Sequence, residues 1–225
     1  MQKRYAMTKL TRSEMERAQR ESMMIDAAEK LFIENGYENV SMDEVARAAQ
    51  FTKRTLYQYF TSKEDLFFAV TLKGFRMMAS CSREGFSTGK SGFDRLYNGV
   101  CAYHHFTSNN QGMFGLMNRV GFMRRSAAKS PKLDEWMQFD GMLFQVVAKV
   151  IEAGIKDGSI RDDIEPMKGT YSLIFLATGF MRLLNETGEM FAEHFDLDID
   201  EFTHYSLSLL YDAIRPDKSK KGEKK

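Results

Sequence analysis

The sequence predicts an all-α protein, and three features of it carry that prediction. Apolar residues recur at spacings of three and four along most of the chain, and no run of strict polar–apolar alternation is long enough to argue for a sheet. Only three prolines occur and the first is Pro131, so the preceding stretch holds no proline breaker. Helix starts and stops are also legible. Ser13 with Glu16 and Ser41 with Glu44 fit reciprocal capping boxes, in which hydroxyl and carboxylate each take an orphan backbone N–H. Glycine and polar clusters at Asn35-Gly36, Thr88–Gly92, Asn109–Gly112, Asp157-Gly158 and Thr187-Gly188 mark the joints.

Taken in order, the pattern predicts about nine helices, over residues 13–35, 41–48, 52–59, 62–84, 93–107, 111–124, 132–157, 166–187 and 199–214, with 189–195 unassigned. The first carries Met24, Ala27, Ala28, Leu31 and Phe32 on one stripe and stops at Asn35-Gly36, where glycine can take the conformation that closes a helix. The second starts at Ser41 and buries Val45, Ala46 and Ala49; the third starts at Thr52 and buries Leu56 and Phe60. Two such short helices, joined by a turn of three or four residues, form a helix-turn-helix. Neither can bury enough surface alone, so both must lean on the first and fourth helices. The fourth opens at Ser62, with Glu64 and Asp65 at the favourable end of its dipole. Glu165-Pro166 places proline in a first helical turn, where its missing N–H costs nothing.

At 225 residues and 26.0 kDa the chain can build a sizeable core without disulfide or metal staples. Two cysteines, Cys81 and Cys101, cannot form a disulfide framework, and the start MQKRYAMTKLTR lacks the apolar stretch of a signal peptide. A reducing, cytoplasmic setting is therefore expected. The longest uncharged apolar run, Gly169–Met181, is shorter than the roughly 18 residues of a transmembrane helix, so no membrane partner is expected. The net charge is +1, which excludes a uniformly basic coat protein and a strongly acidic disordered chain. The distribution matters more. Residues 1–20 hold six Lys/Arg against Glu14 and Glu16, an arm whose first dozen residues can lie along a groove; a disordered start is the alternative. Leu183–Ile214 carries eight Asp/Glu and no Lys/Arg, and DNA would repel it. The tail from Arg215 to Lys225 carries six Lys/Arg and two acids and is expected to be disordered.

Outside the second short helix stand Thr52, Lys53, Arg54, Thr55, Tyr57, Gln58 and Tyr59, followed by Lys63, and from Arg47 through Lys63 there are four basic residues and no acid. Hydroxyls, phenols and cations reach phosphates, and an amide or guanidinium pairs with base edges. A plain solvated face is the alternative; exposed tyrosines without acidic neighbours favour DNA.

The stretch MMIDAAEKLFIENGYENVSMDEVARAAQFTKRTLYQYFTSKEDLFFAV resembles the DNA-binding domain of the TetR family of bacterial transcriptional regulators over about 47 residues. TKRTLYQYFTSKEDL is its most specific part, and GSIRDDIEP is similar to the segment that often precedes the family's dimerisation helices. The resemblance implies a helix-turn-helix domain over 1–62, an effector-binding and dimerisation domain over 63–215 and a basic tail over 216–225. It implies double-stranded DNA, in the form of an inverted-repeat operator, as partner. Tyr57 and Tyr59 resemble the family's phosphate-contacting aromatics, Thr52 and Thr55 would donate to phosphate, and Lys53, Arg54 and Gln58 would meet bases or nearby backbone. Ser41 and Lys63 flank the site at helix N-termini. One departure is Gln50, at a turn position where the family pattern commonly has glycine. A left-handed backbone there costs on the order of 1–2 kcal/mol, which extra burial of Phe51 would offset.

Helix 166–187 is apolar on nearly every side, so one face needs a cover from outside the chain. A homodimer interface is expected from Phe175, Gly179 and Leu183 with Leu207, Leu210 and Tyr211 of the last helix; a monomeric bundle with a central helix is the alternative. The resemblance implies an effector pocket, and the abundance of Met and Phe in 93–180 points to an apolar or aromatic ligand. Candidate lining residues are His105, Phe106, Met117, Trp136, Phe139, Tyr171 and Phe175. No cofactor and no metal is expected. Cys101, His104 and His105 share a helix face but lack further ligands, and Glu201-x-x-His204 is a single pair where a di-iron bundle needs two. Without a phosphate loop or nucleophile elbow, enzymes are disfavoured. The expected function is a ligand-released, dimeric repressor; the alternative is a helical small-molecule-binding protein whose helix-turn-helix no longer reads DNA.

Overall fold

The computed structural model describes residues 11–126 and 130–217, and its described residues are helical throughout apart from turns. The order is α1 (Arg12–Asn35), α2 (Met42–Ala48), α3 (Lys53–Tyr57), α4 (Lys63–Ser87), α5 (Gly92–Asn109), α6 (Gln111–Ser126), α7 (Pro131–Lys156), α8 (Pro166–Phe195) and α9 (Ile199–Asp212). Pro131 and Pro166 each stand in a first turn, where no N–H is missed. The basic arm up to residue 10 and the tail from residue 218 lie outside the described residues.

Three boundaries depart from the sequence pattern. The capping box of α1 is Thr11 with Glu14, not Ser13 with Glu16: the Glu14 carboxylate accepts the Thr11 N–H at 2.7 Å, and the Thr11 hydroxyl accepts the Glu14 N–H. Both registers exist in the sequence. The earlier one lengthens the helix and frees Glu16 to pair with Arg12 at 3.1 Å. Regular helix in α3 covers only Lys53–Tyr57, and single turns carry the chain on, with the Phe60 N–H donating to the Leu56 carbonyl at 3.0 Å. Thr187-Gly188 is no joint, because α8 runs through it to Phe195 and stops at Asp196, which is left-handed at φ 53°. A mid-helix glycine costs about 1 kcal/mol. Here the extension stacks Phe191 on Phe195 and Phe202, with ring centroids 4.6 and 5.8 Å apart, which outweighs that cost.

Among the described residues, two apolar cores result. The first gathers α1–α4 around Phe32, Leu56, Phe60 and Phe67 and continues into Met113, Met117 and Met123 of α6 and Trp136 of α7. The second joins α5, the end of α7, α8 and α9 around Phe93, Leu96, Ile151, Leu173 and Leu207. Where α5 begins, it lies so close to α7 that a Cβ on Gly92 would overlap the Gly154 backbone. Helix α4 runs between the units, buried along Leu66–Leu72. Among the described residues no helix is long and apolar enough to cross a membrane.

Candidate nucleic-acid interface

Helices α2 and α3 are positioned by caps below and by core side chains behind. Ser41 and Glu44 form the expected box: Ser41 donates both its N–H and its hydroxyl to the Glu44 carboxylate at 2.7 Å, bonds that hold that carboxyl below its usual range. Gln50 sits in the turn at φ 61°, the left-handed conformation expected where glycine is common. Phe51 is half-buried against the first core and donates its N–H to the Ala46 carbonyl at 2.9 Å. Thr52 caps α3 by accepting the Thr55 N–H at 3.1 Å, and the two hydroxyls lie 2.8 Å apart. Leu56 and Phe60 are fully buried, which turns the rest of α3 outward.

Thr52, Lys53, Arg54, Tyr57 and Gln58 are exposed on that outer face, while Thr55 and Tyr59 are half-buried. Two partners from outside the segment were not legible in the sequence. Asp43 of α2 takes the Lys53 ammonium at 2.7 Å, supplying the acid that the run from Arg47 to Lys63 lacks. Arg17 of α1 lies 4.7 Å above the Tyr59 ring. Lys63 is half-buried over the Tyr37 ring, 4.3 Å from its centroid, and donates to the Glu38 carbonyl at 3.2 Å. Tyr37 itself packs on Phe32 and Phe67. Lys63 is thus oriented by an aromatic platform before any ligand arrives.

The seven candidate pocket residues do not line one cavity. Phe106, Met117 and Trp136 are buried in the first core; Phe139 is half-buried against it. His105 points outward and its neighbour His104 is the buried histidine, because adjacent helical residues are turned by about 100°. Tyr171 and Phe175 are exposed on α8. A cleft of about 420 Å³ opens elsewhere, between Thr107, Ser108 and Gln111, the α8 segment Met181–Met190, and Ile199 of α9. Trp136 stands out in the core: its ring meets Phe75 edge-on at 5.2 Å, and its indole N–H is buried without a partner.

The proposed dimer residues divide in two. Phe175, Gly179 and Leu183 are exposed on α8, and a Cβ on Gly179 would meet open space. Leu207 and Tyr211 instead face their own chain's second core and Leu210 is half-buried, so the open apolar positions of α9 are Tyr205 and Leu209. The last helix is rotated from the expected register because its buried stripe is Thr203, Leu207 and Tyr211. Among the described residues no three His, Cys, Asp or Glu side chains are grouped to hold a metal.

Residues 24–70 match the sequence profile of the bacterial regulatory proteins of the tetR family. The chain is similar to the HTH-type transcriptional activator FasR of Mycolicibacterium smegmatis, 31% identical over 101 residues, which is 45% of this chain and 46% of that one. The matched part is thus about half the length of that relative. In structure it is similar to PfmR, a TetR-family transcriptional regulator from Thermus thermophilus, with a TM-score of 0.64 and 17% identity over 84% of this chain and 97% of the other. The fatty acid degradation regulator FadR from Bacillus halodurans shares the fold at a TM-score of 0.65 and 13% identity, over 86% and 99% of the two chains.

Proposed function

Because the chain belongs to the TetR family of bacterial transcriptional regulators, we propose that this DNA-binding regulator is a homodimeric repressor that an apolar effector releases from an inverted-repeat operator. The observation that carries the reading is the outer face of α3. Lys53, Arg54, Tyr57 and Gln58 stand exposed together beside Lys63, on a helix whose other face is fully buried. In the proposed division of labour the unit up to residue 62 reads DNA, with Ser41, Thr52, Thr55, Tyr57 and Tyr59 on phosphates, joined there by Lys63 at the boundary, and with Lys53, Arg54 and Gln58 toward bases. Residues 63–215 hold the effector and the partner subunit.

The uncovered apolar stripe of α8, Phe175, Leu176, Gly179, Leu183 and Met190, supports the dimer, and Tyr205 and Leu209 are exposed on α9. These α8 residues fall within about 100° of the helix circumference, opposite the buried Leu173, Ala177 and Met181. A second copy covers such a stripe by a two-fold operation, which also sets two recognition helices on successive major grooves. The proposed place for the effector is the interior between α4, α6 and α7, where Met113, Met117 and Met123 pack as core and, being unbranched and flexible, can yield to a ligand. There the Trp136 N–H is a free donor, so the ligand class is an apolar or aromatic molecule with one hydrogen-bond acceptor.

Selection from a random duplex library tests the reading, with the wild-type protein run beside a Tyr57→Ala, Lys63→Ala variant. The expected result is an enriched inverted repeat that the variant loses. No enrichment by folded protein at low salt overturns DNA reading and leaves a helical small-molecule-binding protein. For a true operator, log affinity falls linearly with log salt at a slope of about 0.9 per phosphate neutralised. In a reporter strain, transcription rises when the gene for the protein is deleted; a fall assigns activation instead.

A further inference from the structure

Among the described residues, one carboxylate is buried to 1% exposure: Asp65, in the first turn of α4, and it is bonded from two directions. One oxygen of Asp65 accepts the Thr61 N–H at 2.9 Å and the Thr61 hydroxyl at 3.2 Å. The other accepts the Ser130 hydroxyl at 2.5 Å and the Lys132 N–H at 3.0 Å. Thr61 is where the chain leaves the recognition turn after Phe60. Ser130 is the N-cap of α7, and its oxygen also accepts the Leu133 N–H at 3.2 Å. A cap that served α4 alone would leave the second oxygen to solvent. Here that oxygen is spent on a helix start 65 residues away.

We propose that Asp65 is a positioning residue for DNA reading: it couples the exit of the recognition helix to the first turn of α7, so that a displacement of α7 moves the recognition helix. The inference rests on the reading of α3 as the DNA face and adds how that face is regulated. A carboxylate bridging four donors in a dry site tolerates little change of geometry, since each bond lost strands a buried polar group. Around it, the Lys132 ammonium joins Glu21 of α1 at 2.6 Å and Glu135 at 3.2 Å, and Glu135 joins Arg76 of α4 at 2.5 Å. The start of α7 is therefore tied to both helices that support the helix-turn-helix. One helical turn after Lys132 stands Trp136 with its unpartnered N–H, so an acceptor-bearing ligand in the interior would act on the turn of α7 next to the one that holds Asp65.

Asp65→Asn replaces one acceptor oxygen by a donor that faces donors. Ser130→Gly removes the hydroxyl and with it both the bond to Asp65 and the one from the Leu133 N–H, yet it disturbs the helix start little, because glycine is a tolerated N-cap. In full-length protein, both variants are expected to bind the selected duplex about 5- to 50-fold more weakly. Thermal melts establish that each is folded, and if Asp65→Asn is not, Ser130→Gly decides. Coupling is reciprocal, so duplex binding is also expected to slow amide exchange at residues 130–136 in the wild type and not in the variants, an effect that a merely structural role would not produce. Wild-type affinity in folded Ser130→Gly, or exchange at 130–136 that ignores the duplex, overturns the coupling. If the wild type binds no duplex, the DNA reading falls by itself. The coupling is then judged in free protein, where Ser130→Gly is expected to speed exchange at residues 52–61 and unchanged exchange there overturns it.

Discussion

At the scale of single residues, Gln50 shows how a local rule can be broken and compensated. Its φ of 61° is what the turn between α2 and α3 demands, and a side chain in that region costs on the order of 1–2 kcal/mol. Glycine there removes the strain but enlarges the unfolded ensemble by roughly 0.5–1 kcal/mol. Gln50→Gly is therefore expected to stabilise the protein by about 0.5–1 kcal/mol, read as a higher midpoint in chemical denaturation; a lower midpoint refutes the strain argument. Lys53 teaches the complementary lesson. Its charge was legible in the sequence, but its engagement by Asp43 depends on how α2 and α3 cross. With both side chains more than half exposed, that pair is worth little and yields readily to a phosphate.

At the scale of elements, α8 separates two kinds of apolar face that periodicity alone cannot tell apart. Leu183 is 60% exposed, whereas Leu207 of α9 is 1% exposed inside its own chain. Leu183→Glu is expected to weaken self-association by at least about 30-fold, an interface hot spot of roughly 2 kcal/mol, and to lower the thermal midpoint only by what the dimer contributes. Leu207→Ala is expected to cost about 2–5 kcal/mol of stability while leaving association intact in the folded fraction. Sedimentation equilibrium beside thermal melts checks both; an unchanged dimer in Leu183→Glu refutes the α8 interface. The same element shows where punctuation misleads. Thr187-Gly188 reads as a joint, but the Thr187 hydroxyl bonds back to the Leu183 carbonyl at 2.9 Å and the helix continues.

At the scale of the whole molecule, α9 is joined to the bundle at a buried histidine. His104 of α5 has its Nε2 3.5 Å from the Asp200 carboxylate and its ring edge-on to His204, both on α9, with Ser108 at Nδ1 and His105 adjacent. Burial is the largest influence and holds its pKa below the ordinary 6.5, against the pull of Asp200. A histidine whose folded pKa is depressed binds its proton more readily when unfolded. Stability is therefore complete above about pH 6.5 and is lost as pH falls from there through the folded value. The thermal midpoint is expected to drop between about pH 7 and 5.5 more steeply in the wild type than in His104→Gln. Parallel curves for the two proteins would assign the pH dependence to other groups.

The sequence by itself determined the order of the helices, the helix-turn-helix and, on its outer face, Thr52, Lys53, Arg54, Tyr57 and Gln58, because capping boxes, apolar period and a Gly-Tyr turn act over a few residues and leave a local record. It marked Gln50 as the turn position that a left-handed backbone would strain, and it anticipated the uncovered side of α8, for the same reason. Tertiary structure alone decided what each side chain meets. Phe106, Met117 and Trp136 fill a core while Tyr171 and Phe175 face out, since a Met or Phe at helical spacing looks the same whether it lines a cavity, packs a core or waits for a subunit. The Asp65 bridge to Ser130 and the Asp43 pair with Lys53 were equally unreadable. Such contacts join residues distant in the chain, and their energies depend on helix crossings that no local pattern encodes.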